Sequence, residues 1–385
     1  MSWRVPLADL KIPEEDVQAV LDCLRSGWLT MGPRTKQFED EFSAYVNSPH
    51  AVAVSSCTAA LHLACLAAGL GEGDEAIVAG MTFVSTPNAV RYTGATPVLC
   101  EIGGADDMNI DIEDVERRIT PHTKAVIAVH FCGYPAKVTE LRRLCDERGL
   151  LLIEDAAQAI AAAVDDSGRR AGTVGHLGCF SLFSKNQLPV GEGGVVTSAD
   201  DDLAAKVRSL RSHAMTSVTW DRHRGYADTY DIVDIGYNYR LDEPRAALAL
   251  SRLKRLDRDI EARRELARTY RSKLAGLEGL GFVWDDQAVE RATHFAFPVL
   301  LADQAARDRF RERLQGLGVQ TTWYPAIHRF SDYRETYGEL SLPRVEEAAE
   351  RHCALPMSSG FSSEEVEIVV EAVKQALAEE LGAAA

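Results

Sequence analysis

Three short segments combine residue types that do chemistry only in company. The first, Ser55-Ser56-Cys57-Thr58-Ala59-Ala60-Leu61, follows an apolar run and opens a helical pattern. Small and hydroxyl residues at a helix start leave backbone N–H groups free to hold an anion. Alone, the segment reads equally well as an ordinary N-cap. The second, Ile153-Glu154-Asp155-Ala156-Ala157-Gln158, ends an apolar run in two carboxylates. Such a carboxylate can grip a protonated heterocycle nitrogen or cap a helix. The third, Phe180-Ser181-Leu182-Phe183-Ser184-Lys185-Asn186-Gln187, leads to Gly191-Glu192-Gly193-Gly194, and Lys185 is the only charged residue between His176 and Glu192. Surroundings that bury a lysine lower its pKa, and a neutral amine forms a Schiff base with an aldehyde. A snorkelling surface lysine is the alternative, but it usually keeps charged neighbours.

An anion cradle, a strand-end Asp and an isolated Lys are the parts that pyridoxal 5′-phosphate requires. They supply a phosphate site, a partner for the pyridinium nitrogen and a Schiff-base amine. The combination is far more specific than any one part. The signatures G-x-x-x-x-G-K-[ST], G-x-S-x-G and H-E-x-x-H are absent from the sequence, which removes the common phosphate-loop, nucleophile-elbow and zinc-protease readings.

The elements that must position these segments follow from periodicity. Apolar runs at 51–54, 76–79, 97–100, 125–131, 150–153, 178–183 and 194–197 predict strands. Helical patterns between several of them give the βαβ signature. The runs lack polar alternation, as expected of strands covered on both faces. The three chemical segments then fall at or near strand carboxyl ends, where open α/β sheets bind ligands. From Leu241 to Ala275 there is no Gly, and Ala, Leu, Arg and Glu dominate. This stretch predicts one long helix or two abutting ones, with Asp242 as N-cap, Pro244 in the first turn and Gly276 as stop. A strand over 294–301 and helices over 303–314 and 362–381 complete the pattern. The expected fold class is α/β, with a large domain of mostly parallel strands over residues 1–250 and a smaller α+β domain over 251–385.

The 385 residues carry 58 Asp plus Glu against 42 Lys plus Arg, a formal net charge of -16. That surplus opposes nucleic-acid backbones and anionic lipid. No apolar run reaches membrane-spanning length, and residues 1–11 lack a signal-peptide pattern. Eight scattered cysteines without a C-x-x-C pair argue against zinc or a disulfide framework. The expectation is a cytoplasmic enzyme without a metal, acting on small molecules.

The chain resembles the DegT/StrS sugar aminotransferases, a branch of the fold-type I pyridoxal phosphate enzymes. The resemblance covers nearly the whole length. Gly32-Pro33-Arg34 leading to Phe38-Glu39-Asp40-Glu41-Phe42 carries it near the start. Thr58-Ala59-Ala60-Leu61-His62-Leu63 and Thr82-Phe83-Val84-Ser85-Thr86-Pro87-Asn88 carry it further on. Glu154 to Gln158, Lys185-Asn186 with Gly191 to Gly194, and Gly236-Tyr237-Asn238-Tyr239-Arg240-Leu241 follow. Tyr324-Pro325, His328 and Leu355-Pro356-Met357 echo the C-terminal pattern. The departures are Ile160-Ala161 where His-Gly is frequent, and Trp323 where His is common. Ser181 also stands four residues before the lysine instead of five, which leaves Ser181 and Ser184 as alternative phosphate ligands.

The resemblance implies an aspartate-aminotransferase-like fold with a seven-stranded sheet, and a ping-pong transamination in which Lys185 forms the Schiff base and shuttles the proton. It assigns Asp155 to the pyridinium nitrogen, Phe83 to ring stacking and Gln158 to the ring's 3-hydroxyl. Thr58, Ser181 and the backbone of Cys57 go to the phosphate. Asn238 comes from a neighbouring subunit, so a homodimer with shared sites is expected. Arg211, His213 and Arg240 are candidates for the substrate entrance by position, and Trp323, Tyr324 and His328 for the substrate side. The implied partners are glutamate or glutamine as donor and a keto sugar nucleotide as acceptor. A dTDP-4-keto-6-deoxyhexose is foremost, with C3 keto sugars and keto-cyclitols behind it. A sugar dehydratase, a desulfurase using Cys353, or a non-catalytic regulator on the same fold are the rivals. The retained Lys185 and Asp155 argue for transamination.

Overall fold

The run Ala51-Val52-Ala53-Val54 offers no polar face, so a strand built from it needs cover on both sides. The computed structural model describes residues 3–217 and 219–384. It places Val52 and Val54 in one core, and Ala51 and Ala53 in another on the opposite face. Seven strands join in one sheet: β1 (His50–Val54), β2 (Glu75–Ala79), β3 (Thr96–Cys100), β4 (Thr123–Val129), β5 (Leu151–Asp155), β6 (Leu177–Ser181) and β7 (Gly194–Ser198). Their order is β1-β7-β6-β5-β4-β2-β3. The pairs β2/β3, β2/β4, β4/β5 and β5/β6 are parallel, whereas β7 is antiparallel to both β1 and β6. β7 therefore runs against the other six. Their carboxyl ends share one edge with its amino end.

Four helices come early in the chain: α1 (Glu14–Arg25), which packs on the later helix Glu243–Leu253, and α2 (Pro33–Val46), α3 (Cys57–Ala67) and α4 (Ser85–Tyr92), which pack on the sheet. α3 lays Leu61, Ala64 and Cys65 against Ile153, Leu177, Cys179 and Val196. α2 lays Phe38 and Phe42 against Phe180 and Val195 on the other face. Each buried Phe or Leu contributes about 1.5–3 kcal/mol by leaving water. A second sheet, ordered β10-β9-β8, is formed by β8 (Gly281–Phe282), β9 (Phe297–Leu300) and β10 (His352–Leu355), paired antiparallel. Its side chains share one continuous core with residues of β2, β3 and β4. Val5 bridges Val319, so the N-terminal segment lies on the C-terminal part. Among the described residues no helix is long and apolar enough to cross a membrane.

One open alternative is resolved, and two sequence expectations change in detail. The stretch from Leu241 divides into helices Glu243–Leu253 and Leu256–Leu274. The division falls at Arg255, which leaves helical geometry (φ −118°, ψ 5°) and hydrogen-bonds Asp16 of α1. The run at 125–131 stops being a strand at Val129, because Phe131–Gly133 form a tight turn with Cys132 in the left-handed region (φ 56°). The strand expected over 294–301 begins only at Phe297. Upstream, Thr293 and Phe295 donate their N–H groups to the carbonyls of Gly133 and Cys132 in that turn.

Candidate active site

The sheet edge gathers the three chemical segments. After β1, Ser56 caps α3 by accepting the Ala59 N–H at 3.1 Å. The next two amides, of Cys57 and Thr58, have no acceptor among the described residues, as the first turn of a helix leaves them. Val54 and Ser181 both pair with Gly194 at the start of β7. A Cβ on Gly194 would lie 2.6 Å from the Ser56 carbonyl, so only glycine lets this turn settle onto the edge beside Ser181. Ser181 is buried, and its hydroxyl oxygen accepts the Phe183 N–H at 3.2 Å. The Ser184 hydroxyl instead donates to the Gly191 carbonyl at 3.3 Å. Arg240, half-buried, bridges Val54 through its backbone, and its Nη1 is buried without a hydrogen-bond partner. Burial, with the charge of Arg211 nearby, lowers the pKa of that guanidinium.

β5 presents its two carboxylates to opposite sides, as a period of two requires. Glu154 is fully buried and accepts N–H groups from Gly172 at 2.8 Å and Val174 at 2.7 Å, and from Gly175. His130 Nδ1 accepts the Ala136 N–H, so its Nε2 carries the hydrogen donated to Glu154 at 2.9 Å. Burial pushes the Glu154 carboxyl up, but His130 and these amides outweigh it and hold the pKa below its usual value. Asp155 meets the reverse balance. Burial raises its pKa, against hydrogen bonds from Thr86 at 2.7 Å and the Ala157 N–H at 3.1 Å.

Gln158 is oriented by the turn after β4. The Cys132 N–H donates to Gln158 Oε1 at 2.7 Å, which leaves the amide NH2 as the free end. Phe83, between β2 and α4, is 64% exposed and offers an open ring face. The Lys185 turn is tied to the Asp155 segment. Asn186 Nδ2 donates to the Ala157 carbonyl at 2.9 Å, and Gln187 Nε2 to that of Gln158 at 2.5 Å. The single chain leaves Lys185 itself exposed, contrary to the expectation that its neighbours bury it. Asn186 to Val190 are buried; they pack beneath the lysine and not around it. A cavity of about 380 Å³ adjoins it, lined among others by Asp9, Lys11, Arg258 and Arg263. Sequence reading passed over these residues, because nothing local ties residues 9–11 and 258–263 to Lys185.

The proposed substrate residues separate. Arg211 is 5% exposed and ion-pairs Glu39 of α2, while donating to the Ala53 carbonyl at 2.7 Å. It joins α2 to β1 and does not line the entrance. Arg211→Ala is expected to cost about 3–5 kcal/mol of stability, by leaving Glu39 buried and unpaired. Chemical denaturation checks this, and the surviving protein should keep its substrate KM. His328 is fully buried, with Nε2 2.9 Å from Glu346 Oε1, so it does not reach the cleft surface. The Trp323 ring lies under the Arg307 guanidinium at 4.2 Å. Tyr324 packs edge-on to Phe131 at 5.2 Å and stacks on His352, which brings it to the Cys132 turn. His213 has a left-handed backbone (φ 61°) and hydrogen-bonds the Tyr237 carbonyl. Asn238 is exposed and bridges Ser212. Cys353 is buried in β10, where burial pushes its thiol up to about 12; it is no mobile nucleophile.

The donor set fits pyridoxal phosphate. Free helix amides and an orphaned arginine nitrogen suit a dianionic phosphate. A buried carboxylate short of a cation suits the pyridinium, and an amine stands on the turn beside it. The comparisons agree. The model of the DegT/DnrJ/EryC1/StrS aminotransferase family matches residues 10–374. The spore coat polysaccharide biosynthesis protein SpsC of Bacillus subtilis is 36% identical, over 97% of this chain and 96% of its own. The structure of S. venezuelae DesV in complex with a ketimine intermediate superposes with a TM-score of 0.89 at 35% identity, covering 98% of this chain and 99% of that one. NtdA of Bacillus subtilis with bound cofactor PMP superposes with a TM-score of 0.84 at 26% identity, covering 95% and 82%. The match over residues 10–374 and the likeness of the whole fold to these enzymes show that the chain belongs to the DegT/DnrJ/EryC1/StrS family and is a pyridoxal phosphate-dependent sugar aminotransferase.

Proposed function

We propose that the enzyme moves an amino group from glutamate or glutamine to a keto sugar nucleotide, with a dTDP-4-keto-6-deoxyhexose as acceptor. The observation that carries the reading is the joint placement of Lys185 and Asp155 on one edge, with free α3 amides beside them. The likeness to a polysaccharide biosynthesis protein over almost the whole length supports a sugar acceptor. Bound pyridoxal phosphate supplies an electron sink for a carbanion. Asp155 holds a proton on its pyridine nitrogen, and Phe83 supports the ring face. The free Gln158 amide donates to the ring's 3-oxygen. The Cys57 and Thr58 end of α3 and Ser181 hold the phosphate; Ser181 is favoured over Ser184, whose hydrogen is engaged by Gly191. Lys185 moves a proton between the amino acid's Cα and C4′ of the cofactor.

We further propose a homodimer in which Asn238 of a second copy completes the phosphate site. Its support is an apolar strip near Asn238: Tyr226, Tyr230, Ile232, Val233 and Ile235 are all at least half exposed. Large apolar side chains exposed together in one short segment suit an interaction surface. The division into units of residues 1–250 and 251–385, and a cytoplasmic location that keeps eight unpaired thiols reduced, belong to the same reading.

The test is to load the protein with pyridoxamine phosphate and add keto sugar nucleotides and keto-cyclitols one at a time. The visible band of the aldehyde cofactor should return with the dTDP-4-keto-6-deoxyhexose. Return with a keto-cyclitol alone would overturn the acceptor, and return with none would overturn the sugar-nucleotide reading.

A further inference from the structure

Behind the exposed ring of Phe83 lies a pair of buried hydroxyls. Thr82 and Thr86 are 4% and 0% exposed. Their Oγ1 atoms are 2.8 Å apart, and Thr86 Oγ1 is 2.7 Å from Asp155 Oδ2. An ionised carboxylate only accepts hydrogen bonds, so the Thr86 hydrogen points at Asp155. The Thr86 oxygen is then left to accept, and the hydrogen between the two threonines comes from Thr82. The charge at the end of the chain thus sets the direction Thr82 to Thr86 to Asp155. Hydroxyls aligned in one direction strengthen the last bond.

Few other groups can hold Asp155 in this state. Its second oxygen takes the Ala157 N–H. Of the titratable groups around it, His130 is paired with Glu154 on the other face of β5, and burial raises the pKa of the thiols of Cys57 and Cys179. Thr82 precedes α4 and Thr86 lies in its first turn, and the bend between them brings the two hydroxyls together. β-Branched Thr is a poor helix former, so propensity does not explain Thr86 in α4. One turn, 82–86, therefore carries the ring support on its outside and the Asp155 donors on its inside.

We propose that Thr86, backed by Thr82, is a positioning residue that keeps Asp155 ionised and its free lone pairs turned to the cofactor's pyridine nitrogen, an inference that rests on the role of Asp155 given above. Thr86→Val keeps the shape and removes the hydroxyl. The experiment titrates cofactor-free protein with pyridoxal phosphate and measures kcat and the KM for glutamate for Thr86→Val, Thr86→Ser, Thr82→Val and Asp155→Asn. Thr86→Val should bind pyridoxal phosphate about tenfold more weakly and lose about tenfold or more in kcat, with the KM for glutamate unchanged. Thr86→Ser should restore both, and Thr82→Val should fall between. Wild-type affinity and kcat in Thr86→Val, beside an impaired Asp155→Asn, would overturn the inference. Wild-type behaviour in Asp155→Asn would instead overturn the role of Asp155. Should Thr86→Val fail to fold, Thr82→Val decides. A graded loss there, rescued by Thr82→Ser, supports the relay, and wild-type values refute it.

Discussion

Lys185→Ala is expected to abolish transamination, with kcat down by roughly a thousandfold to ten-thousandfold, since the proposed carrier of the proton is removed. The purified variant should also lack the visible band of the lysine-bound cofactor. The fold should survive, because the side chain is exposed and the turn is held by Asn186 and Gln187. Mixing this variant with Asn238→Ala tests the shared site. If the site is shared as proposed, a mixed dimer regains one complete site from Lys185 of one copy and Asn238 of the other. Random reassortment of equal amounts should therefore recover about a quarter of the wild-type rate. A mixture no more active than its components would count against the shared site, and an active Lys185→Ala would remove the lysine from the chemistry.

The second large effect is expected at Asp155. Asp155→Asn cannot hold a proton on the pyridine nitrogen by charge, and kcat should fall by about a hundredfold or more. Stability should move the other way. Burial raises the Asp155 pKa in the folded chain. A group whose folded pKa is raised binds its proton more tightly when folded, so its ionised form opposes folding above the unfolded value near 4. At neutral pH the cofactor-free Asn variant should therefore be at least as stable as the wild type. Steady-state kinetics and urea unfolding of the cofactor-free proteins check the two halves. An unimpaired kcat, or a clearly destabilised empty variant, would contradict the assignment.

The strands were legible because runs such as Ala51–Val54 and the 125–129 part of 125–131 are apolar on both sides, and burial on two faces is what that composition demands. Lys185 was legible because it is isolated in an uncharged segment, although isolation did not imply burial. Asp155 was legible as one of two strand-end carboxylates. Which of the two faces the site was not readable from their order. It depends on Gly172, Val174, Gly175 and His130 converging on Glu154. Arg211 misled for a similar reason. Its partner Glu39 lies 172 residues away, and nothing local to Arg211 announces it. The Thr82–Thr86 pair sat inside a recognised motif, but only the distance to Asp155 shows what it does.

The left-handed turn at Cys132 has a consequence for the order in which the protein can assemble. It holds Gln158, 26 residues downstream, through one amide, and is itself bonded to Thr293 and Phe295. The Thr293 hydroxyl also reaches the Gln158 carbonyl, 135 residues back. Contacts this distant in sequence form slowly, since the intervening chain must be closed before they reward it. A chain emerging from the ribosome can lay down β1 to β7 and the α3 cradle well before Thr293 exists. The first turn of α3 and Ser181 can therefore stand in place early, whereas the hold of Thr293 and Phe295 on the Cys132 turn and Gln158 waits for the C-terminal third.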